Sequence, residues 1–186
     1  MSASLILASG SAIRASILTN AGVDFDVVKP GVDEDVIKKS SAEEGLSLEK
    51  TALALADAKA LAVAADAGVY VLGSDQILEF QGRAFDKPKD LVEARDRLAD
   101  MQADSHTLIN AVSIAHEGRI VFRHLERPRL YLRAMSKAEI DQYIEEAGPA
   151  ILSSVGAYQV EKLGARLFER IEGDYFSVLG LSLFPT

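Results

Sequence analysis

The stretch Leu5-Ile-Leu-Ala-Ser-Gly-Ser-Ala-Ile-Arg14 shows the pattern on which the fold prediction depends. An apolar run over Ser4–Ala8 predicts a short buried strand, and the residues Ala12–Asn20 predict a helix. The polar turn between them has Ser11 at the expected N-cap position. Strands and helices alternate in this way along the chain, which indicates an α/β fold.

The segments that follow extend this alternation. We predict strands over Asp24–Val28, Val69–Leu72 and Ile77–Phe80, with helices over Ser47–Asp66, Lys89–Met101 and Ser136–Glu146. Val32–Asp35 is predicted to be an acidic loop, and Ser41-Ala-Glu-Glu44 to be a capping box. Ser136-Lys-Ala-Glu139 is predicted to cap the last of these helices. Leu108–Ala115 and Arg119–Arg133 are predicted to form a hairpin. Residues 1–186 are then expected to form one domain, a long curved mixed β-sheet flanked by helices, with two lobes around a cleft.

Composition excludes several classes of function. The formal net charge is −8, whereas a general nucleic-acid binder carries a positive excess that neutralises phosphates. The absence of cysteine excludes disulfides, thiol catalysis and cysteine-ligated zinc. No apolar run approaches the roughly 18 residues that a membrane helix needs, and the N-terminus lacks the basic region of a signal peptide. We therefore expect a cytoplasmic protein without nucleic-acid or membrane partners.

The first candidate site is the turn that contains Ser9 and Ser11, followed by Arg14. The N–H groups at the start of a helix, together with the helix dipole, favour an anion there. The two hydroxyls add donors, and a guanidinium offers a fork of donors that suits phosphate oxygens. Small residues between a strand and a helix are also ordinary turn chemistry, so the turn alone does not decide between a binding loop and a plain connection.

Two sources of carboxylates form the second candidate. Asp75 follows an apolar strand in Gly73-Ser-Asp-Gln76, and α/β proteins usually keep catalytic residues at the ends of strands. Glu34 lies in the acidic run Asp33-Glu-Asp35. One carboxylate from each segment suits Mg²⁺, which keeps several waters and also binds phosphate oxygens. The alternatives are an aspartate in a turn and a solvated acidic loop.

Two isolated lysines complete the candidates. Lys59 lies inside the alanine-rich predicted helix, where the alternative is a solvated helix face. Lys87 lies before a proline, where the alternative is a simple loop cation. The histidines lack the helical spacing of metal ligands, and we predict structural places for His106, His116 and His124.

Together and in this order, these motifs resemble the Maf family of nucleoside triphosphate pyrophosphatases. The matching blocks are Leu-Ala-Ser-Gly-Ser-x-x-Arg, Val-Asp-Glu, Ala-Asp-Ala-Lys-Ala, Gly-Ser-Asp-Gln, Lys-Pro, Ser-His-x-x-x-x-Ala-Val, Gly-Ala-Tyr and Ile-Glu-Gly-Asp-Tyr-x-x-Val-x-Gly-Leu. They cover nearly the whole chain. The resemblance implies a nucleotide cleft between two lobes and hydrolysis of a nucleoside triphosphate between the α and β phosphates. It also implies a divalent cation (Mg²⁺, Mn²⁺ or Co²⁺) and a possible homodimer.

The resemblance also implies a role for each candidate residue. Asp75 falls on the catalytic aspartate and Glu34 on its acidic partner, and these two carboxylates are the expected metal ligands. The expected substrate-binding positions are Ser9, Ser11, Arg14, Lys59 and Lys87.

Three further positions bear on the choice of nucleotide. Gln76 and Glu161 match the subgroup that prefers 7-methyl-GTP, whereas members that select dTTP and UTP carry Thr and Gln there. Ile13 stands where relatives carry a bulkier side chain, so the pocket is expected to be less selective. The implied function is a pyrophosphatase that removes non-standard or modified nucleotides. The alternative from another class is a nucleotide-binding regulator of cell division with little turnover, and pyrophosphate release from a nucleotide panel distinguishes the two.

Overall fold

The computed structural model describes residues 4–186, which form an eight-stranded sheet and six α-helices. The strands are β1 (Leu5–Ala8), β2 (Asp26–Val28), β3 (Tyr70–Phe80), β4 (Arg83–Phe85), β5 (Ser105–His116), β6 (Arg119–Glu126), β7 (Arg129–Leu132) and β8 (Phe168–Glu172). The helices are α1 (Ala12–Asn20), α2 (Glu34–Glu43), α3 (Leu48–Leu61), α4 (Leu91–Met101), α5 (Lys137–Ala147) and α6 (Tyr175–Leu179), with 3₁₀ turns at Gly148–Ser153 and Leu163–Leu167. The predicted α/β fold class is confirmed.

The sheet is mixed and follows the order β2-β1-β3-β5-β7-β8. β1 pairs in parallel with both β2 and β3, so helices fill the connections between these strands. β4 pairs antiparallel with β3, and β5 pairs antiparallel with β6 and β7. β7 and β8 form the last antiparallel pair. Among residues 4–186, none of the helices is both long and apolar enough to cross a membrane.

The chain divides into two compact units. Unit 1 consists of Met1–Gln76 (described from residue 4), Ile109–Glu126 and Gly180–Thr186, and unit 2 consists of Ile77–Leu108 and Arg127–Leu179. Small apolar side chains of unit 1 pack together in a buried cluster, namely Ala8, Ala60, Val71 and Ala115. Unit 2 has a larger apolar core that includes Leu78, Leu98, Leu130, Tyr143 and Ile144.

β3 differs from the prediction of two strands separated by Gly73–Gln76. The structure has one continuous strand, because Gly73 continues the parallel ladder by pairing with Ala8 of β1. Asp75 therefore lies inside a strand and is buried, instead of lying at a strand end. A polar group inside a buried strand is tolerated when it has hydrogen-bond partners, and Asp75 has one.

The predicted acidic loop Val32–Asp35 is wrong in its second half, because Glu34 and Asp35 belong to a helix. Asp33 is the N-cap of α2, and its side chain accepts a hydrogen bond from the Val36 N–H at 3.2 Å. Glu34 and Asp35 form the first turn, where the helix dipole favours negative charge. The predicted capping box at Ser41–Glu44 is also wrong, because Ser41 lies near the end of this same helix.

The remaining differences concern the ends of elements. The helix predicted to reach Asp66 ends at Leu61. The second arm of the predicted hairpin is two strands, since Pro128 separates β6 from β7 and has no N–H for a sheet ladder. Ser11 occupies the N-cap of α1 without a side-chain capping bond. The capping box at Ser136, in contrast, is confirmed.

Candidate active site

Three elements of unit 1 bring charged side chains together. The Lys59 Nζ on α3 donates to Asp75 Oδ1 on β3 at 2.6 Å and to Glu34 Oε1 on α2 at 2.8 Å. The Lys59 and Asp75 side chains are nearly buried, with 9% and 8% of their surfaces exposed, whereas the Glu34 side chain is 42% exposed. The structure thus brings together three of the predicted residues, and the alternative for Lys59, a solvated helix face, is excluded.

Gly73 explains how α3 reaches this position. A Cβ atom on Gly73 would lie 2.3 Å from the Ala56 carbonyl oxygen and 2.6 Å from the Ala60 nitrogen, so only glycine lets helix and strand approach so closely. Residues two apart on a strand point to the same face. Asp75 therefore faces α3 as Gly73 does, and it meets Lys59 there.

Arg14 is held beside this cluster by backbone and hydroxyl oxygens. Its Nε donates to the Gly180 carbonyl at 2.7 Å, and its Nη1 donates to the Ser74 carbonyl at 2.8 Å and to the Ser9 Oγ at 3.3 Å. Burial lowers the pKa of Arg14, and the nearby charges of Asp75 and Glu34 only partly oppose this shift. Arg14 therefore supplies positive charge to the cluster while it ties the first turn to β3 and to Gly180.

The first turn itself is ordered around Ser9. The buried Ser9 hydroxyl accepts from the Ser11 N–H at 3.1 Å, and Ser11 is half-buried. Lys29 was missed in the sequence analysis: its Cε lies 3.2 Å from the place that a Cβ on Gly10 would occupy. The side chain of an exposed lysine thus runs along the turn. No motif indicates this contact, because it joins segments that are distant in sequence.

A divalent cation was predicted at Glu34 and Asp75. Within residues 4–186, no three or more acidic or histidine side chains are grouped to hold a metal ion. Two carboxylates nevertheless suit Mg²⁺, which completes its shell with waters and substrate phosphates. Lys59 donates to one oxygen of each carboxylate, so a bound cation would share these groups with the ammonium. The donor set fits a hard cation that binds together with a phosphate compound.

Lys87 lies in unit 2, in the segment between β4 and α4. It is exposed. The residues on either side of it are held by α4. The buried Arg97 Nη1 donates to the Asp86 carbonyl, and Glu93 Oε2 accepts from the Lys89 N–H at 3.0 Å. The lysine side chain is therefore exposed on a fixed backbone.

The three predicted specificity residues lie in different places. Ile13 is half-buried on α1, and Gln76 is half-buried at the end of the β3 segment that belongs to unit 1. Glu161 is exposed in a turn of unit 2. Burial raises the pKa of Tyr143 to about 12, and the charge of Glu161 adds a smaller upward contribution.

The histidines lie outside the charged cluster, as predicted. His106 is buried in unit 2, hydrogen-bonds to the Tyr158 hydroxyl and lies beside the ring of Phe168. His116 stacks on Tyr70 with ring centroids 4.4 Å apart. None of these contacts suggests a catalytic role.

Comparison with known proteins places this arrangement in a family. The family described as Maf-like protein matches residues 4–186. A nucleoside triphosphate pyrophosphatase of Hyphomonas neptunium is 44% identical over 185 residues, which cover 100% of this chain and 93% of the relative. Another protein of that name, from Caulobacter vibrioides, is 46% identical over 95% of this chain and 89% of its own length. A 7-methyl-GTP pyrophosphatase of Brucella abortus is 39% identical over 100% of this chain and 94% of its own length.

Proposed function

Because the chain belongs to the Maf-like protein family, we propose that it is a nucleoside triphosphate pyrophosphatase, a hydrolase that splits the α–β phosphate bond. The products are a nucleoside monophosphate and pyrophosphate. The observation that carries this proposal is the hydrogen-bonded cluster of Asp75, Lys59 and Glu34, with Arg14 beside it. A buried carboxylate between fixed cations suits an attack by water on a phosphate.

Asp75 is the proposed proton acceptor. One of its oxygens is held by Lys59 at 2.6 Å, which fixes the orientation of the carboxylate. The carboxylate can then accept a hydrogen bond from the attacking water and take its proton. This role requires a charged oxygen at a fixed position, and the bond to Lys59 supplies that position.

The cations are proposed to bind the phosphates, with hydroxyl donors from Ser9 and Ser11. Lys59 and Arg14 lie at the carboxylate cluster, and we include the exposed Lys87 as a further phosphate contact. Positive charge held in advance stabilises the negative charge that grows on the leaving pyrophosphate. Such a reaction asks for little covalent chemistry from the protein itself.

Glu34 and Asp75 would hold the divalent cation. When bound, such an ion supplies Lewis-acid polarisation of the phosphate oxygens and lowers the pKa of a bound water. The choice among Mg²⁺, Mn²⁺ and Co²⁺ belongs to the proposal and is part of the experiment below.

We propose 7-methyl-GTP as the preferred substrate. The relative named 7-methyl-GTP pyrophosphatase is 39% identical to the chain and matches it over its whole length. Methylation at N7 makes guanine cationic, and an acidic side chain near the base would prefer a cation to a neutral ring. Glu161 is the proposed acidic side chain, and Gln76 offers a paired donor and acceptor for a base edge. The small Ile13 leaves room for other triphosphates, so the preference is not absolute.

The test is kcat/KM for 7-methyl-GTP, GTP, dTTP and UTP, measured by pyrophosphate release with each of the three metal ions. We expect release from several nucleotides and the highest value for 7-methyl-GTP. Glu161→Gln should reduce the ratio of kcat/KM for 7-methyl-GTP to kcat/KM for the other nucleotides by roughly 10–100-fold. Glu145→Gln, at another exposed position of unit 2, is the matched control and should leave the preference unchanged.

The outcomes separate the parts of the proposal. A wild-type preference for dTTP or UTP would contradict the choice of 7-methyl-GTP and leave the pyrophosphatase activity standing. Binding of nucleotides without any release would contradict the enzyme itself. That result would favour the nucleotide-binding regulator, the alternative from the sequence analysis.

A further inference from the structure

The segment that carries Lys87 is held on both sides by one ion pair of α4. Arg97 Nη2 donates to Glu93 Oε1 at 2.8 Å, and these two residues face the segment together. Arg97 binds the carbonyl that precedes Lys87, at Asp86, and Glu93 binds the N–H that follows it, at Lys89. All of these groups belong to unit 2.

Arg97 is an unusual residue to find buried near the middle of α4. Only 5% of its side chain is exposed, and its guanidinium lies over the ring of Phe85 with the central carbon 5.2 Å from the ring centroid. The Arg97 Nη1 that binds the Asp86 carbonyl also donates to the Val155 carbonyl at 2.5 Å. Its Nε is buried without a hydrogen-bond partner in the described part of the chain.

This arrangement is costly, because a buried charge loses its hydration. An apolar residue of similar size at such a position often gives equal or greater stability. What an apolar residue cannot do is bind two carbonyl oxygens and fix the backbone between them. The main effect of Arg97 is therefore to fix the backbone of the segment that carries Lys87, and its effect on stability is smaller.

We propose that Arg97, supported by Glu93, is a positioning residue that orients Lys87 for phosphate binding. The inference rests on the proposed function, because it requires Lys87 to contact a phosphate. Lysine is a flexible point charge, so its reach depends on where its Cα is held. The Arg97–Glu93 pair fixes the backbone on both sides of this Cα, which leaves only the side-chain torsions free.

The test is a double-mutant cycle of Arg97→Met and Lys87→Ala. We measure kcat and KM for a nucleoside triphosphate and the inhibition constant of inorganic pyrophosphate. Arg97→Met alone should lower kcat/KM and weaken pyrophosphate inhibition, by roughly 10–100-fold in kcat/KM, the scale of a misplaced catalytic contact. In the Lys87→Ala background, Arg97→Met should have almost no further effect, because the group that it positions is already missing.

Controls exclude a general loss of structure. Arg95 lies on the same helix but pairs with Asp141 on α5 at 2.5 Å, and not with the segment that carries Lys87. Arg95→Met should therefore leave kcat/KM and the inhibition constant of pyrophosphate unchanged. Arg97→Lys keeps a donor for the carbonyls and should recover part of the activity. If Arg97→Met does not fold, Glu93→Ala takes its place in the cycle, since Glu93 is partly exposed and binds the Lys89 N–H.

Three results would overturn the inference in distinguishable ways. Equal losses from Arg97→Met in both backgrounds would mean that Arg97 acts independently of Lys87. A folded Arg97→Met with wild-type constants would mean that it positions nothing. Full activity of Lys87→Ala would contradict the proposal that Lys87 binds a phosphate, and with it the inference about Arg97. The proposed function is tested separately, by pyrophosphate release from the wild-type protein.

Discussion

The two units treat their buried charges differently. In unit 1 the Lys59 ammonium lies between two carboxylates, those of Asp75 and Glu34, so each charge is balanced by others. In unit 2 the Arg97 guanidinium is bound mainly by backbone carbonyls, with a single carboxylate at Glu93. The first arrangement can exchange a partner for a substrate phosphate or a metal ion. The second can only hold the chain in place.

This difference predicts what substitutions should change. Removing the Asp75 charge from the unit 1 cluster should alter chemistry more than stability, because Lys59 still has Glu34 as a partner. Changes in the framework of unit 2 should alter stability or position. Arg14 combines both properties, since it adds positive charge to the cluster of unit 1 and also binds two backbone carbonyls, as Arg97 does.

The largest effect is expected from Asp75→Asn. This change keeps the shape of the side chain and removes the charge that would accept a proton. We expect the rate of pyrophosphate release to fall by roughly 10²–10⁴-fold, the usual cost of losing a general base. The affinity for a nucleotide, measured by calorimetry without a divalent cation, should remain close to that of the wild-type protein because the cationic side chains of Lys59 and Arg14 are still present.

A control for this prediction is Asp57→Asn. Asp57 is also a carboxylate of unit 1 that is bound to a cation, since Arg123 Nη2 donates to it at 2.8 Å. It lies on α3 but outside the Lys59 cluster, and its loss should reduce turnover far less. Similar losses from the two substitutions would show that any acidic residue near α3 matters equally.

A second large effect is expected from Gly73→Ala, which tests how unit 1 builds its cluster. The new methyl group would meet the backbone of α3 at Ala56 and Ala60, which cannot rotate away. We expect a loss of about 3 kcal/mol in the free energy of unfolding by urea. Turnover should fall too, since α3 carries Lys59. Gly31→Ala is the control, because a Cβ there has no atom within 4 Å.

The pH dependence of stability should come partly from the framework of unit 2. Burial lowers the pKa of His106 from 6.5 to about 4, so the folded protein keeps this ring neutral. The unfolded chain takes up a proton as the pH falls below 6.5, and stability is lost between that pH and about 4. From pH 7 to pH 5 we expect about 2 kcal/mol of loss from this group. Urea unfolding of His106→Gln should lack this part of the pH dependence; an unchanged dependence would contradict the assignment.

The smallest effect is expected at helix caps. Ser136 of unit 2 forms a complete capping box with Glu139, and Ser136→Ala should lower thermal stability by about 1 kcal/mol without changing turnover. Ser11 of unit 1 occupies the same helix position without a side-chain capping bond. Ser11→Ala should therefore cost little stability, and any change in its KM would reflect the turn and not the cap.

The sequence predicted the alternation of elements and the residue types of the site better than their surroundings. The helix Ala12–Asn20 and the capping box at Ser136 follow from local patterns, and both are confirmed. Asp75 was correctly predicted to belong to the candidate site, but its predicted place after the end of a strand is wrong, because it lies inside β3. Its polar neighbours indicate a turn, whereas the parallel pairing of Gly73 with Ala8 keeps the strand continuous.

The burial of Lys59 and Arg97 could not be predicted in this way. A lysine or arginine inside a helix normally indicates a solvated face. Lys59 is buried because Glu34 and Asp75 come from two other elements, and Arg97 because two backbone carbonyls reach it. Backbone carbonyls have no signature in the sequence, so Arg97 appears only when the chain is folded.

The measurement that tests the central claim most directly is phosphorus NMR of the reaction products. Wild-type protein is incubated with a nucleoside triphosphate and Mg²⁺, and Asp75→Asn is treated in parallel. We predict that the wild-type protein forms nucleoside monophosphate and pyrophosphate in equal amounts, and that the variant forms almost none over the same time. Formation of nucleoside diphosphate and orthophosphate, or equal product formation by the variant, would contradict the account.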